Sequence, residues 1–173
     1  MNMVPAGDQA RGLPSYDISG LNILILEKQR LMRNLMKQVF REFNVSNLSM
    51  SANPHEAFEL LCQVPPDIIL SDWTYDLDGV EFLKQVRNDP LTPNPFVPVI
   101  VVTAQSELHH VVKARDAGMT EFLRKPVSAR TIYSRICAVI DANRPFVRTG
   151  HFFGPDRRRK RGGGHQGPDR RVP

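Results

Sequence analysis

Hydrophobic residues follow two spacings along this chain, and the two spacings alternate. Short continuous apolar runs are typical of buried strands, whereas the longer segments between them carry apolar residues every three or four positions, as amphipathic helices do. A strand followed by a helix is predicted five times, which favours a parallel sheet with helices on both faces. The predicted strands are residues 21–26, 45–51, 67–71, 99–102 and 120–123.

Residues with known capping roles mark the predicted helix boundaries. Asn53 precedes Pro54, a pair typical of an N-cap followed by proline in the first turn. Gly118 follows the fourth helical segment, where glycine commonly ends a helix. Ser128 precedes the fifth helical segment as an N-cap, and that helix is predicted to end near Asn143.

The composition indicates one globular domain with an appendage at each end. The chain has 173 residues, of which 41% are hydrophobic and 24% charged, and this suits one domain of about 100–150 residues. Residues 1–19 mix Pro, Gly, Asp and Ser without periodicity and predict a flexible leader. Residues 20–144 hold the alternating elements, and residues 145–173 are predicted to be a disordered basic tail.

The positive charge of the chain lies in this tail. From Pro145 onward there are eight basic and two acidic residues, a net charge of +6, whereas the rest of the chain has 15 basic and 16 acidic residues. The tail also repeats one sequence, because Gly-Pro-Asp-Arg-Arg occurs at 154–158 and again at 167–171. The repeat predicts a docking motif for a partner protein, presented by Arg157, Arg158, Arg170 and Arg171.

A different interpretation of the tail is a binder of nucleic acid or of acidic surfaces. Neutralising phosphates with about six positive charges would give salt-dependent, sequence-independent affinity. The aromatic rings of Phe146, Phe152 and Phe153 could stack on bases. The fixed acidic residue in each copy of the repeat favours the docking motif over this alternative.

Membrane insertion and secretion are not predicted. The longest apolar stretch, residues 96–104, is far shorter than the roughly 18–20 residues that a bilayer span needs. The N-terminus lacks the basic-then-apolar pattern of a secretory signal. A cytoplasmic protein that does not contact membranes is therefore expected.

Polar residues end three of the predicted strands and define a candidate site. Asp72 ends the third apolar run, Thr103 ends the fourth, and Lys125 follows the fifth. In open α/β sheets, ligands bind outside the carboxyl ends of the strands. The pattern therefore predicts that a carboxylate, a hydroxyl and an ammonium group meet at one edge of the sheet.

Several short motifs occur in a fixed order along residues 21–144. They are the strand that ends at Asp72, Asp78-Gly79 at the next helix, Thr103-Ala104, Asp116-Ala-Gly118, and Lys125-Pro126. With these motifs, residues 21–144 resemble the receiver domain of bacterial two-component response regulators. The resemblance implies a flavodoxin-like (βα)5 doubly wound parallel sheet with strand order 2-1-3-4-5. It also implies that a histidine kinase or phosphotransfer protein transfers a phosphoryl group to Asp72.

The resemblance assigns a role to each residue of the candidate site. Asp72 would be the nucleophile that forms an acyl phosphate, and Lys125 would supply positive charge to the transferring group. Thr103 would donate a hydrogen bond to a phosphoryl oxygen, and Phe122 matches the aromatic switch position. Signalling would then proceed by contact with an unknown output protein, and not by an enzymatic activity of this chain.

The sequence departs from the family where a magnesium ion is usually held. Two adjacent acidic residues normally follow the first strand, whereas Glu27-Lys28 occupies these positions here. The charges of Glu27, Asp72, Lys28 and Lys125 sum to zero, so Mg²⁺ binding through Glu27, Asp72 and the Thr74 carbonyl is predicted to be weak.

Three alternatives for this pocket stay open at the level of the sequence, and one of them is a phosphorylation that is specific to its donor or needs little metal. Lys28 could pair with Asp72 and replace the metal, which would make the chain a pseudo-receiver that acts as an adaptor without phosphorylation. Glu27 could instead reach a metal while Lys28 points outward. The loop after Asp72 is also one residue shorter than usual, which leaves the Thr74 ligand in doubt and could bring Asp76 to the pocket rim.

Overall fold

The computed structural model describes residues 16–73, 79–104, 108–142, 145–149 and 152–156. Its main feature is a five-stranded sheet with strand order β2-β1-β3-β4-β5, in which all neighbouring strands are parallel. The predicted flavodoxin-like fold and strand order are thereby confirmed. The strands are β1 (Ile23–Leu26), β2 (Leu48–Ser51), β3 (Ile68–Asp72), β4 (Val99–Thr103) and β5 (Glu121–Arg124).

Five helices alternate with these strands, as the spacing of apolar residues predicts. Two hydrophobic clusters fill the space between helices and sheet, one on each face. Neighbouring residues of a strand point to opposite faces, so Leu24 and Leu26 join one cluster while Ile23 and Ile25 join the other. The helices are α1 (Arg30–Glu42), α2 (Pro54–Gln63), α3 (Gly79–Asn88), α4 (Leu108–Asp116) and α5 (Ala129–Asp141).

The predicted helix caps are confirmed. The Asn53 side chain accepts a hydrogen bond from the Glu56 N–H, with Pro54 in the first turn of α2. Ser128 and Thr131 form a reciprocal capping box at the start of α5. Gly118 follows α4 with φ of 94°, a conformation that side chains disfavour. None of the helices in the described parts of the chain is both long and apolar enough to span a bilayer.

The predicted flexible leader is wrong for residues 16–19. The Tyr16 N–H donates to the Tyr133 hydroxyl at 2.7 Å, and that hydroxyl donates to the Tyr16 carbonyl at 3.0 Å. The Tyr16 hydroxyl donates to Asp141, and Ile18 is buried. This segment is too short to show a periodicity, and its contacts with α5 depend on residues more than a hundred positions away.

The predicted disordered tail is wrong for residues 145–149 and 152–156. Phe146–Thr149 and Phe152–Pro155 form two antiparallel strands, β6 and β7. The rings of Phe146 and Phe153 pack against each other and against Phe96 from the loop before β4, with centroids 5.3–5.8 Å apart. Gly, Pro and charged residues dominate the tail composition. Burial of Phe153, whose ring contacts Phe96 and Phe146, nevertheless stabilises β6 and β7. The proposed stacking of Phe146 and Phe153 on bases is therefore not supported.

A buried arginine connects this hairpin to the sheet. The Arg87 guanidinium on α3 donates to the carbonyls of Pro95, Val97 and Gly118 at 2.8–3.1 Å. The Phe146 ring covers it, with 5.2 Å between the guanidinium carbon and the ring centroid. Burial lowers the pKa of Arg87 to about 9. Sequence reasoning missed this residue, because its position on the helix does not reveal that its partners are backbone carbonyls.

The hairpin also depends on a close approach of two glycines. A Cβ at Gly154 would lie 2.7 Å from the Gly118 Cα, and a Cβ at Gly118 would lie 2.5 Å from the Phe153 carbonyl oxygen. Gly154 and Pro155, from the first copy of the repeat, are buried in this contact. Arg157, Arg158 and the second copy with Arg170 and Arg171 lie outside the described residues.

Candidate functional site

Three strand ends bring the predicted site residues together. Asp72 is the last residue of β3, Thr103 is the last residue of β4, and Lys125 directly follows β5. The Lys125 N–H donates to the Thr103 carbonyl at 2.8 Å, which extends the pairing of β4 and β5 past the strand. Because parallel strands end at one edge of the sheet, these residues and Glu27 after β1 share that edge.

The Lys125 ammonium group bridges two buried carboxylates. Its Nζ lies 2.8 Å from Glu27 Oε2 and 2.9 Å from Asp72 Oδ1. Glu27 is 0% exposed and Asp72 is 1% exposed, while 12% of the Lys125 side chain reaches solvent. Two negative charges thus share one positive charge in a setting that water barely reaches.

Burial governs the ionisation of this cluster. Loss of solvent raises the pKa of Asp72 to about 6; the hydrogen bond from Lys125 opposes this shift, and the Glu27 charge adds to it. Burial alone would lower the pKa of Lys125, but the hydrogen bonds and charges of Glu27 and Asp72 raise it instead. The second oxygen of Asp72, Oδ2, has no hydrogen-bond partner among the described residues.

Stability is expected to fall as pH rises from the ordinary aspartate value of 3.8 through about 6. In this window the folded protein keeps a proton on Asp72 that the unfolded chain has released, so protonation favours the folded state. The Asp72→Asn variant should lose this slope in urea unfolding measured from about pH 4 to about pH 8. An unchanged slope in Asp72→Asn would assign the effect to another group.

The raised pKa of Lys125 affects stability in a separate, alkaline pH range. The stabilisation that protonated Lys125 provides is present below pH 10.5 and is lost as the pH rises through the pKa of Lys125 in the folded protein.

The Thr103 hydroxyl lies at the site and donates to the Trp73 carbonyl at 2.6 Å. To reach a phosphoryl group on Asp72 it must give up this bond. Phe122, the predicted switch residue, is half-buried and packs against the cluster of α2, α3 and β4 residues. The switching roles of Thr103 and Phe122 stay predictions.

Trp73, the residue after Asp72, is buried. It is 7% exposed, and its indole lies over the first residue of α3. A Cβ at Gly79 would lie 2.2 Å from Trp73 Cδ1, so only glycine fits beneath the ring. As the single tryptophan of the chain, Trp73 reports directly on the environment of Asp72.

Lys28 is not placed as expected if its ammonium group replaced the metal ion beside Asp72. Its side chain is exposed, and the ammonium group paired with Asp72 is that of Lys125. Glu27 is buried beside Lys125 and Lys28 is exposed, as one part of the Glu27 alternative has it, whereas the part in which Glu27 reaches a metal stays a prediction. Thr74 and Asp76, the other predicted contributors to a metal site, lie outside the described residues.

Receiver domains generally bind Mg²⁺ at an acidic pocket, and the described residues of this chain do not fit such an ion as arranged. They contain no group of three Asp, Glu, His or Cys side chains that could hold a metal. The two carboxylates at the site, Glu27 and Asp72, each direct one oxygen at Lys125. An ion between them would have to displace the ammonium group.

Lys28→Asp is expected to strengthen Mg²⁺ binding. The substitution lowers the charge beside Glu27 by two units and adds an oxygen ligand of the type that hard cations prefer. Titration of Mg²⁺ followed by Trp73 fluorescence measures the affinity, and Arg30→Glu, which also lowers the charge by two units, serves as a control for charge alone, since Arg30 is exposed at the start of α1. Equal affinities for wild type and Lys28→Asp would show that Lys28 does not limit metal binding.

Comparisons with known proteins match this chain to one family. The family model for the response regulator receiver domain matches residues 23–137. Chemotaxis protein CheY-3 of Vibrio cholerae is 24% identical over 122 residues, which cover 70% of this chain and 92% of that protein. The phosphate regulon transcriptional regulatory protein PhoB of Pseudomonas aeruginosa is 26% identical over 127 residues, covering 73% of this chain and 54% of that protein.

Solved structures show the same fold. Vibrio cholerae CheY4, crystallised at low pH, has a TM-score of 0.62 at 21% identity, covering 68% of this chain and 96% of that chain. A putative response regulator from Chloroflexus aurantiacus has a TM-score of 0.62 at 23% identity, covering 69% of this chain and 97% of that chain. The family match spans more than half of the sequence, so this chain belongs to the response regulator receiver domain family.

Proposed function

We propose that this chain is a response regulator that accepts a phosphoryl group on Asp72 and signals by protein–protein contact. The donor would be the phosphohistidine of a histidine kinase or phosphotransfer protein. The observation that carries the proposal is the state of the Asp72 carboxylate. Oδ1 lies 2.9 Å from the Lys125 Nζ, while Oδ2 is buried and has no hydrogen-bond partner among the described residues, so its lone pairs are not already used in a hydrogen bond there.

The residues of the site suit this reaction. Asp72 Oδ2 would attack phosphorus, a P–O bond would form, and the P–N bond to the donor histidine would break. Lys125 already lies beside the nucleophile and would neutralise part of the charge on the transferred group. Thr103 would then exchange its bond to the Trp73 carbonyl for one to a phosphoryl oxygen.

Incubation with acetyl phosphate should add one phosphoryl group to the protein. Intact mass spectrometry of the full chain, with and without Mg²⁺, measures the gain. Asp72→Ala should abolish it, whereas Asp116→Asn should not, because Asp116 is a half-exposed carboxylate at the end of α4. Ionisation of Asp72 favours attack, so the rate should rise as pH rises through about 6. A gain that persists in Asp72→Ala would contradict the assignment of the acceptor.

A second candidate is a receiver that works as an adaptor without phosphorylation. The observation that favours it is the bridge formed by Lys125, whose ammonium group lies within 2.9 Å of both Glu27 and Asp72 and connects the two carboxylates. Under this alternative, Asp72→Ala would leave binding of the output partner unchanged, whereas Lys125→Met would alter it.

The tail proposals concern residues that follow the hairpin. Arg157, Arg158, Arg170 and Arg171 are proposed to dock a partner protein, and nucleic acid is the competing ligand for the same charges. Phe146 and Phe153 are engaged with Phe96, so they do not supply free stacking surfaces. This supports a protein partner over single-stranded nucleic acid.

A further inference from the structure

An arginine on the first helix reaches back to the loop that carries Glu27. Arg33 Nη1 donates to the carbonyl oxygens of Glu27 and Lys28, each at 2.7 Å. Arg33 is half-buried, in the first turns of α1. One guanidinium nitrogen therefore fixes two successive carbonyls of the loop between β1 and α1.

This loop lacks the usual means of fixing the start of a helix. Gln29 occupies the N-cap position of α1 without a side-chain cap, and the first turn contains no acidic residue. The Arg33 contacts do not replace a cap, because a guanidinium cannot accept hydrogen bonds from the first-turn N–H groups; they instead bind the carbonyls of the loop to the helix.

The loop conformation decides where the Glu27 carboxylate lies. Its Oε1 accepts a hydrogen bond from the Gln29 N–H at 2.8 Å, and its Oε2 accepts one from Lys125 at 2.8 Å. Lys125 in turn reaches Asp72 at 2.9 Å. Contacts therefore run without a gap from the Arg33 guanidinium through the loop, Glu27 and Lys125 to Asp72.

We infer that Arg33 is a positioning residue for phosphoryl transfer to Asp72, because its guanidinium holds the loop with Glu27 turned inward and Lys28 turned outward. The inference rests on the proposed function. Arg33 does not contact Asp72; it acts by keeping Glu27 where it orients the Lys125 ammonium. Without the Arg33 guanidinium, the loop loses both carbonyl contacts. Glu27 is then no longer held in one position, and it no longer orients the Lys125 ammonium group beside Asp72.

The test compares Arg33→Gln with Arg33→Lys and with Arg30→Gln in the full chain. Arg30 lies three positions earlier on the same helix and is exposed, so its replacement removes the same charge without touching the loop. Arg33→Gln is expected to lower the maximal phosphorylation rate by about tenfold to a hundredfold, the effect of a small misplacement at a reacting centre. The acetyl phosphate concentration at half-maximal rate should stay unchanged, Arg33→Lys should recover part of the rate, and Arg30→Gln should match wild type.

A second readout does not depend on phosphorylation. The backbone N–H of Gln29 donates a hydrogen bond to Glu27 Oε1. The hydrogen-exchange protection of this N–H, measured by NMR, therefore reports the loop conformation. Arg33→Gln should reduce this protection while protection in the β-strands stays at the wild-type level, which excludes general unfolding. Arg30→Gln should leave it unchanged.

The outcomes separate the inference from the proposed function. If wild type is never phosphorylated but Gln29 protection is lost in Arg33→Gln, the proposed function fails and the positioning of the loop by Arg33 stands. If Arg33→Gln keeps the wild-type rate and protection, the inference is overturned. A loss of rate of equal size in Arg30→Gln would also overturn it, because the effect would then be one of charge alone.

Discussion

Deletion of residues 145–173 is expected to destabilise the receiver domain by about 3–5 kcal/mol, the cost typical of removing a buried phenylalanine from a core. Phe153 is 9% exposed and packs against Phe96 and Phe146. The deletion also uncovers the Arg87 guanidinium, which the Phe146 ring shields. Urea unfolding of the full chain and of a chain ending at residue 144 measures the difference.

Deletion of residues 157–173 alone is the matched control. It removes most of the basic charge of the tail but leaves the hairpin of Phe146–Thr149 and Phe152–Pro155 intact. The free energy of unfolding should therefore stay at the wild-type level. Phe153→Ala in the full chain should reproduce most of the loss. Equal stability of the chains ending at 144 and at 156 would contradict the conclusion that the hairpin is part of the folded domain.

Lys125→Met is expected to destabilise the protein by about 3–5 kcal/mol near neutral pH and to abolish phosphorylation. Removing one partner from a buried ion pair leaves the other charge uncompensated. Here two carboxylates, Glu27 and Asp72, are left facing each other without the shared ammonium group. The loss should shrink as pH falls, because protonation neutralises the carboxylates. Urea unfolding at several pH values measures both effects.

The control for Lys125→Met is the double substitution with Glu27→Gln. Neutralising Glu27 removes the repulsion with Asp72, so the double variant should regain part of the lost stability without regaining phosphorylation. If the double variant is no more stable than Lys125→Met alone, repulsion between the carboxylates is not the cause of the loss.

Most of the fold could be predicted from the sequence because its periodic signals are local. The apolar runs that form β1, β3 and β4 are short and continuous, and the caps at Asn53 and Ser128 act within three residues of their own position. The hairpin could not be predicted in this way. Its stability depends on contacts with Phe96 and Arg87, which lie about fifty residues or more earlier in the chain. The composition of the tail gives no indication of these contacts.

The site shows the same division. The sequence predicts that Asp72, Thr103 and Lys125 meet, because each ends or follows a strand of one parallel sheet. It does not determine which lysine pairs with Asp72, since Lys28 and Lys125 both follow strands. The contacts of Arg33 with the loop determine which lysine pairs with Asp72, because they turn Glu27 inward and leave Lys28 exposed. Those contacts are between a side chain and backbone carbonyls, which residue patterns do not reveal.

Chemical trapping of the acyl phosphate identifies the phosphoacceptor residue. The full chain is incubated with acetyl phosphate or a phosphohistidine donor, treated with borohydride and mapped by peptide mass spectrometry. Reduction of an aspartyl phosphate converts the residue to homoserine, so homoserine is expected at position 72 and aspartate at position 116. Homoserine at another position, or unchanged aspartate at 72 in a sample whose intact mass had shown the phosphoryl group, would contradict the assignment of Asp72 as the phosphoacceptor.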